Sequence, residues 1–179
     1  SAPPPTIACH DPATLESLGE VPALGRAEVK DRVQRAQAAQ RAWGQTSFAE
    51  RRRVLRLLLD YIIEHQAQIC RLCSRDSGKT LADAAMGEIF PVCEKLRYLI
   101  DHGEADLRPE QRPSGLLMHK AARVVYQPLG VVGVICPWNF PFQNILGPTI
   151  PALFAGNAVL CKVSEWSSYS AGPVQAMFD

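Results

Sequence analysis

Asn139 stands between two prolines in Cys136-Pro137-Trp138-Asn139-Phe140-Pro141, just after an apolar run, and Lys162 and Glu165 follow a second apolar run. A side-chain amide in a proline-stiffened loop can hold its N–H donor in one orientation at little ordering cost, which suits stabilisation of a developing oxyanion. A lysine and a glutamate at the next strand end suit the hydroxyls and phosphates of a nucleotide. The residues alone also allow a turn-forming asparagine that satisfies nearby backbone groups, and an exposed Lys162–Glu165 ion pair at a helix start.

Such residues need a scaffold, and the chain from Gly130 onward reads as one. Gly130 to Cys136 is continuously apolar, which predicts a strand covered on both faces. Asn144 to Leu153 reads as a helix, Gly156-Asn157 as a turn, Ala158 to Lys162 as a second strand, and Ser164 to Asp179 as the start of another helix. Strand, helix, strand favours parallel strands packed beneath helices, with ligands in the crevice beyond the strands' carboxyl ends. The fold class is α/β: N-terminal helices leading into the first strands of a Rossmann-like parallel sheet.

Upstream the texture is helical. Residues 1–25, rich in Pro, Gly and Ala, predict an extended, surface-wrapping arm, and Ser1-Ala2-Pro3-Pro4-Pro5 resembles a linker or processed end rather than a secretory signal. Residues 26–102 form the helical part: an amphipathic helix from Ala27 to Trp43 stopped by Gly44, a capping box at Ser47-Phe48-Ala49-Glu50 opening a helix to about Cys73, and a helix on Leu81, Ala84, Ala85, Ile89, Val92, Leu96 and Leu99 ending near Asp101. Residues 103–129 predict a connecting loop and a strand-rich segment suited to oligomerisation, and 130–179 the start of the nucleotide-binding sheet.

Several tempting sites fail on spacing. Ser77-Gly78-Lys79-Thr80 ends like a phosphate loop, but position 73 is Cys where that loop needs glycine, and a helix rather than a strand precedes it, so a turn with Thr80 as cap is expected. Cys70 and Cys73 form a C-x-x-C without the second ligand pair that a structural zinc needs, and they continue an apolar helix face, so buried thiols and no metal are expected. Six cysteines at irregular spacings in a chain of this size favour reduced thiols and an intracellular setting.

Nineteen Lys plus Arg against eighteen Asp plus Glu leave a net charge of +1, which excludes a strong field for nucleic acid or anionic lipid. The cluster Arg51-Arg52-Arg53 with Arg56 is flanked by Glu50 and Asp60 and reads as a solvated helix face. No apolar run reaches the ~18 to 20 residues of a membrane span, and 179 residues with 47% hydrophobic content fit one compact domain.

The stretch from Tyr126-Gln127-Pro128-Leu129-Gly130 through Pro137-Trp138-Asn139-Phe140-Pro141, followed by Gly156-Asn157-Ala158-Val159-Leu160-Cys161-Lys162-Val163-Ser164-Glu165, resembles the aldehyde dehydrogenase superfamily. The likeness extends upstream to Asp11-Pro12-Ala13-Thr14, Ala39-Gln40-Arg41-Ala42-Trp43 and Arg75-Asp76-Ser77-Gly78-Lys79-Thr80, and Gly87-Glu88-Ile89 with Cys93-Glu94-Lys95 resembles the branch containing plant family-twenty-two enzymes. The resemblance implies that the chain is the N-terminal part of an NAD(P)-dependent enzyme that oxidises aldehydes through a cysteine thiohemiacetal.

It further implies that the Asn139 amide binds the oxyanion, that Lys162 and Glu165 hold the adenosine ribose, and that Ile135, Pro137, Trp138 and Ser164 line the cofactor groove. A carboxylate at the ribose implies NAD rather than NADP. Val163 stands where many relatives have proline. The family's pyrophosphate turn, general-base glutamate and nucleophilic cysteine find no counterpart here, and Cys136, on an apolar strand, is a poor substitute. The chain alone is therefore expected to be inactive and to hold NAD weakly, acting on an aldehyde only within a complete enzyme. The alternative is a shortened structural or interaction subunit, with a protein partner or second copy covering its open sheet.

Overall fold

The computed structural model describes residues 5–178. Its first element is a hairpin, β1 (Thr6–His10) antiparallel to β2 (Ser17–Pro22), rather than an extended arm. The Asp11 carboxylate accepts from the backbone N–H groups of Ala13 (2.9 Å) and Thr14 (3.3 Å), an Asx-type turn in keeping with the turn chemistry of Asp11-Pro12 in the sequence, and it reverses the chain into a second strand. Residues 1–4 lie outside the described residues.

Helix α1 (Arg26–Trp43) buries none of its residues, but it is fastened to the sheet end by Trp43 Nε1 donating to Leu153 O (2.8 Å) and Gln40 Nε2 to Gly156 O (3.0 Å). Helix α2 (Phe48–Ser77) opens with the expected capping box: Ser47 Oγ accepts from Glu50 N (3.2 Å) and the Glu50 carboxylate from Ser47 N (2.7 Å). It runs beyond Cys73 because Ser74 to Ser77 contain no breaker, and Gly78, at φ 74°, ends it in the left-handed conformation that glycine adopts without strain.

Arg51 departs from the solvated face expected for the arginine cluster. It is 6% exposed and donates to Phe154 O (3.0 Å), Gly44 O (3.0 Å) and Thr46 Oγ1 (3.1 Å). A turn of helix presents adjacent residues in different directions, so one arginine of three can face inward while its neighbours stay in water.

Thr80 caps α3 (Leu81–Ala84), its Oγ1 accepting from Asp83 N (3.1 Å). A π-turn, Ala85–Ile89, then leads into α4 (Phe90–Asp106), which passes the expected end at Asp101 because Gly103 lies flush against the Phe154 ring. Within the expected 103–129 segment, β3 (Glu110–Arg112) pairs antiparallel with β4 (Ala122–Val124). Beside this hairpin Leu116, Met118 and Leu129 are almost fully exposed.

Strands β5 (Val131–Ile135) and β6 (Ala158–Lys162) are parallel, in register from Val131–Ala158 to Ile135–Lys162, and are joined by α5 (Gln143–Phe154). The crossover and the α/β reading hold. Full coverage of β5 does not: Val134 is buried while Gly133 and Ile135, on the opposite face at that end of the strand, are exposed, Ile135 to 83%. The expected helix from Ser164 is a 3-10 turn (Glu165–Ser167) and a short α6 (Ala171–Gln175). Serine side chains interrupt it, Ser164 Oγ accepting from Trp166 N (3.2 Å) and Ser168 Oγ donating to Ser164 O (2.8 Å).

The core lies between α2, α4, α5 and the inner face of the parallel pair, around Leu55, Ile62, Leu96, Leu146, Ile150 and Phe154. The C-x-x-C cysteines belong to it, Cys73 being wholly buried, and no group of metal-ligating side chains occurs among the described residues. No helix there is long and apolar enough to cross a membrane.

Candidate functional site

The carboxyl ends of β5 and β6 lie side by side, tied past the last registered pair by Cys136 N donating to Lys162 O (2.9 Å). The two expected clusters therefore emerge from one sheet edge. From β5 the chain enters the loop Pro137 to Phe142, in which Trp138 and Asn139 are exposed and Pro141 and Phe142 buried. The loop turns directly into α5, Asn144 N donating to Phe140 O (2.9 Å).

Asn139 is oriented by its side chain and its main chain together. Its Oδ1 accepts from Asn144 Nδ2 (3.2 Å), leaving its Nδ2 as the outward donor, and its carbonyl accepts from Lys79 Nζ (2.8 Å). Lys79 Nζ also lies 4.0 Å over the Phe140 ring centroid and is paired with Glu88, whose side chain is fully buried. The other Glu88 oxygen accepts from Phe142 N (3.1 Å) and Gln143 N (2.8 Å), the first donors of α5.

Lys79 and Glu88 were missed as contributors to the site, Lys79 being read within a failed phosphate loop and Glu88 as a branch marker. The available signal was a glutamate on the apolar stripe of a helix, where an unpaired charge is not tolerated.

At the second strand end, Lys162 Nζ lies 2.9 Å from Glu165 Oε2, both side chains more than half exposed. The N–H of Glu165 itself and the Lys162 ammonium hold the Glu165 carboxyl below the usual carboxylate range. Ser164 is buried and its hydroxyl caps the 3-10 turn, so it supports the strand end from beneath. Ile135 and Pro137 line a shallow groove of about 420 Å³ with Gln143, Asn144 and Lys95, whereas Lys162 and Glu165 stand outside its lining.

No cysteine in this arrangement is activated. Burial pushes the thiols of Cys9, Cys70, Cys73, Cys93 and Cys136 up, and Cys161 to about 12. Cys136 Sγ lies 3.4 Å from Cys161 Sγ between the strands, packed as the strand pattern predicts.

The model of the aldehyde dehydrogenase family matches residues 1–179. An aldehyde dehydrogenase-like protein of Saccharomyces cerevisiae is 46% identical over 172 residues, covering 92% of this chain and 27% of its own length. The glutarate-semialdehyde dehydrogenase of Pseudomonas aeruginosa is 36% identical over 169 residues, covering 93% and 34%. Among solved structures, a succinate-semialdehyde dehydrogenase from Burkholderia pseudomallei superposes with a TM-score of 0.88 at 33% identity, covering 97% of this chain and 35% of that one. An NADP-dependent glyceraldehyde-3-phosphate dehydrogenase from Bacillus halodurans, complexed with NADP, gives 0.87 at 30%, covering 98% and 37%. The chain spans about a third or less of these proteins, and over its own length it belongs to the aldehyde dehydrogenase family.

Proposed function

We propose that this chain supplies one half of an aldehyde-oxidising site: the oxyanion donor, Asn139, and the grip on the adenosine ribose of NAD, Lys162 with Glu165. The observation that supports the reading is the adjacency of the two strand ends, with Cys136 N bonded to Lys162 O at 2.9 Å, which brings both clusters to one sheet edge.

The donor set fits the ribose end of a dinucleotide. Lys162 offers N–H donors, Glu165 stays ionised and accepts from a vicinal diol, and the exposed Ile135 and Trp138 give apolar surface beside them. A carboxylate there repels a 2′-phosphate, which favours NAD over NADP. Among the described residues no comparable donor set suits the pyrophosphate, and the chain alone is expected to hold the cofactor weakly. When bound, the nicotinamide supplies a hydride acceptor.

In the complete site a cysteine thiolate adds to the aldehyde carbon and the carbonyl oxygen becomes an oxyanion that the Asn139 Nδ2 donor stabilises. Hydride then leaves that carbon, and water releases the acid. None of the six cysteines here has the exposure or lowered pKa for the first step, so the nucleophile comes from another segment of the active protein. The exposed Leu116, Met118 and Leu129 beside the β3–β4 hairpin are the proposed contact with a second copy.

The test uses the full-length polypeptide that carries this segment, with aldehydes surveyed under NAD. Asn139→Ala is expected to lower kcat by about 10²- to 10³-fold. Lys162→Ala is expected to raise the KM for NAD and leave kcat nearly unchanged. An Asn139→Ala enzyme with wild-type kcat would remove the oxyanion assignment.

A further inference from the structure

An oxyanion donor is useful only if its nitrogen stays where charge develops, and Asn139 sits on the exposed part of a short loop that α5 ties through Asn144, by Asn144 N to Phe140 O and Asn144 Nδ2 to Asn139 Oδ1. What holds it from beneath comes from residues 79–88, more than fifty positions earlier in the chain. We propose that Lys79 and Glu88 are positioning residues for Asn139, an ion pair that holds the Pro137 to Phe142 loop at Asn139 and again where it enters α5; the inference rests on the oxyanion reading of Asn139.

Each partner reaches the loop directly. Lys79 donates to the carbonyl of Asn139 itself (2.8 Å) and packs its ammonium on the ring of the next residue, Phe140. Glu88 accepts from the backbone N–H groups of Phe142 and Gln143, where the loop becomes α5. The ion pair joins the two anchors, so a shift at either anchor must break a charge-assisted contact in a side-chain environment only 11% exposed for Lys79 and closed for Glu88.

Gly87 completes the clamp. A Cβ there would stand 2.6 Å from Phe140 Cε1, so the ring packs on bare backbone at Gly87 as well as beneath the Lys79 ammonium. A buried ion pair is weak evidence for stability, since apolar residues of similar volume often serve as well. Here its members instead satisfy backbone groups in the middle of a functional loop and at its α5 end, which apolar residues cannot do.

The experiment is a mutant cycle in the full-length polypeptide. Lys79→Met leaves the Glu88 carboxylate buried and unpaired, so it is accompanied by Lys79→Met/Glu88→Gln, in which the amide oxygen still accepts from α5, and by Lys79→Arg, which keeps the cation. The paired variant is expected to retain wild-type unfolding but lose about a hundredfold in kcat with little change in the KM for aldehyde, and Lys79→Arg to recover most of that loss. In an Asn139→Ala background the paired substitution should have no further effect, because its action passes through Asn139.

Additive losses in that background, or a paired variant with wild-type kcat, overturn the inference. Amide hydrogen exchange read by mass spectrometry separates it from the reading it rests on. If Asn139→Ala alone leaves kcat intact while the paired variant speeds exchange across the loop, the oxyanion assignment fails and the clamp stands. Unchanged exchange in the loop removes the clamp.

Discussion

Replacing Arg51 tests how the helical half is joined to the strand-bearing half. Its guanidinium donates to Phe154 O and Gly44 O at 3.0 Å and to Thr46 Oγ1 at 3.1 Å, and its CZ lies 5.4 Å from the Phe48 ring centroid. Phe154 closes α5 and Gly44 closes α1, so one side chain connects both helix ends with the start of α2.

A hydrogen bond from a charged donor contributes ~1.5 to 3 kcal/mol, and an abandoned buried carbonyl loses a similar amount. The three bonds share one side chain and water can enter the vacated space, so their sum is an upper bound, and Arg51→Ala is expected to destabilise by ~3 to 5 kcal/mol. For a chain of this size that lowers the melting temperature by roughly 6 to 20 °C.

Arg51→Lys keeps the charge but cannot span three acceptors, and should lose about half as much. The internal control is Arg52→Ala. Arg52 pairs with Glu104 at 2.5 Å with both side chains partly exposed, and its loss should stay under ~1 kcal/mol. Urea unfolding followed by far-ultraviolet circular dichroism measures all three. An Arg51→Ala loss no larger than that of Arg52→Ala, or Arg51→Lys equal to wild type, would refute the claim that the buried fork joins the halves.

Asp76 is 3% exposed and accepts from Ser170 N (2.8 Å) and from Ser170 Oγ; burial pushes its pKa up despite those bonds. The folded state therefore binds a proton more tightly than the unfolded chain, so this carboxyl's contribution is full below the unfolded value of ~3.9 and falls as pH rises through the folded value. The difference in unfolding free energy between wild type and Asp76→Asn, measured by urea titration across that range, should move against wild type as pH increases; a flat difference would contradict the assignment. Gly78→Ala places a Cβ 3.0 Å from Pro12 Cγ at a φ of +74°, and should destabilise by ~1 to 2 kcal/mol in a thermal melt, more than the same change at the open Gly172.

The parts of the fold legible in the sequence are those whose signal is local. The capping box at Ser47, the strand at Ala158–Lys162 and the crossover helix α5 each follow from a period or a cap within a dozen residues. At the hairpin β1–β2 the turn chemistry of Asp11-Pro12 is legible but the pairing is not, because both strands are largely exposed and carry no strict alternation of apolar and polar residues, and the break after Ser164 was hidden because serine hydroxyls compete with helical backbone only once the turn has formed. Arg51 was lost within a charge run: three consecutive arginines look alike in composition, yet only the one facing the helix ends is dry.

The site divides along the same line. Asn139, Lys162 and Glu165 lie at strand ends that periodicity locates, but the support beneath Asn139 comes from two residues far apart from it in sequence, and a period does not tell which distant loop a buried charge will meet. Ala84, Glu88, Val92, Leu96 and Ile100, each four residues apart, are all buried. In a regular α-helix a four-residue spacing drifts by about 40° per step, so such a stripe should wind out of the core. The π-turn at Ala85–Ile89 takes an additional residue into one turn and offsets part of that drift, which keeps Glu88 in line with Val92. A 3.6 period drawn through Leu81, Ala84, Ala85, Ile89 and Val92 also sets Glu88 on the apolar face, seven residues after Leu81, although Leu81 and Ala85 themselves are exposed. The informative pattern was the four-residue stripe itself: a glutamate in its midst requires a buried partner, and Lys79, across the turn at Gly78, is that partner.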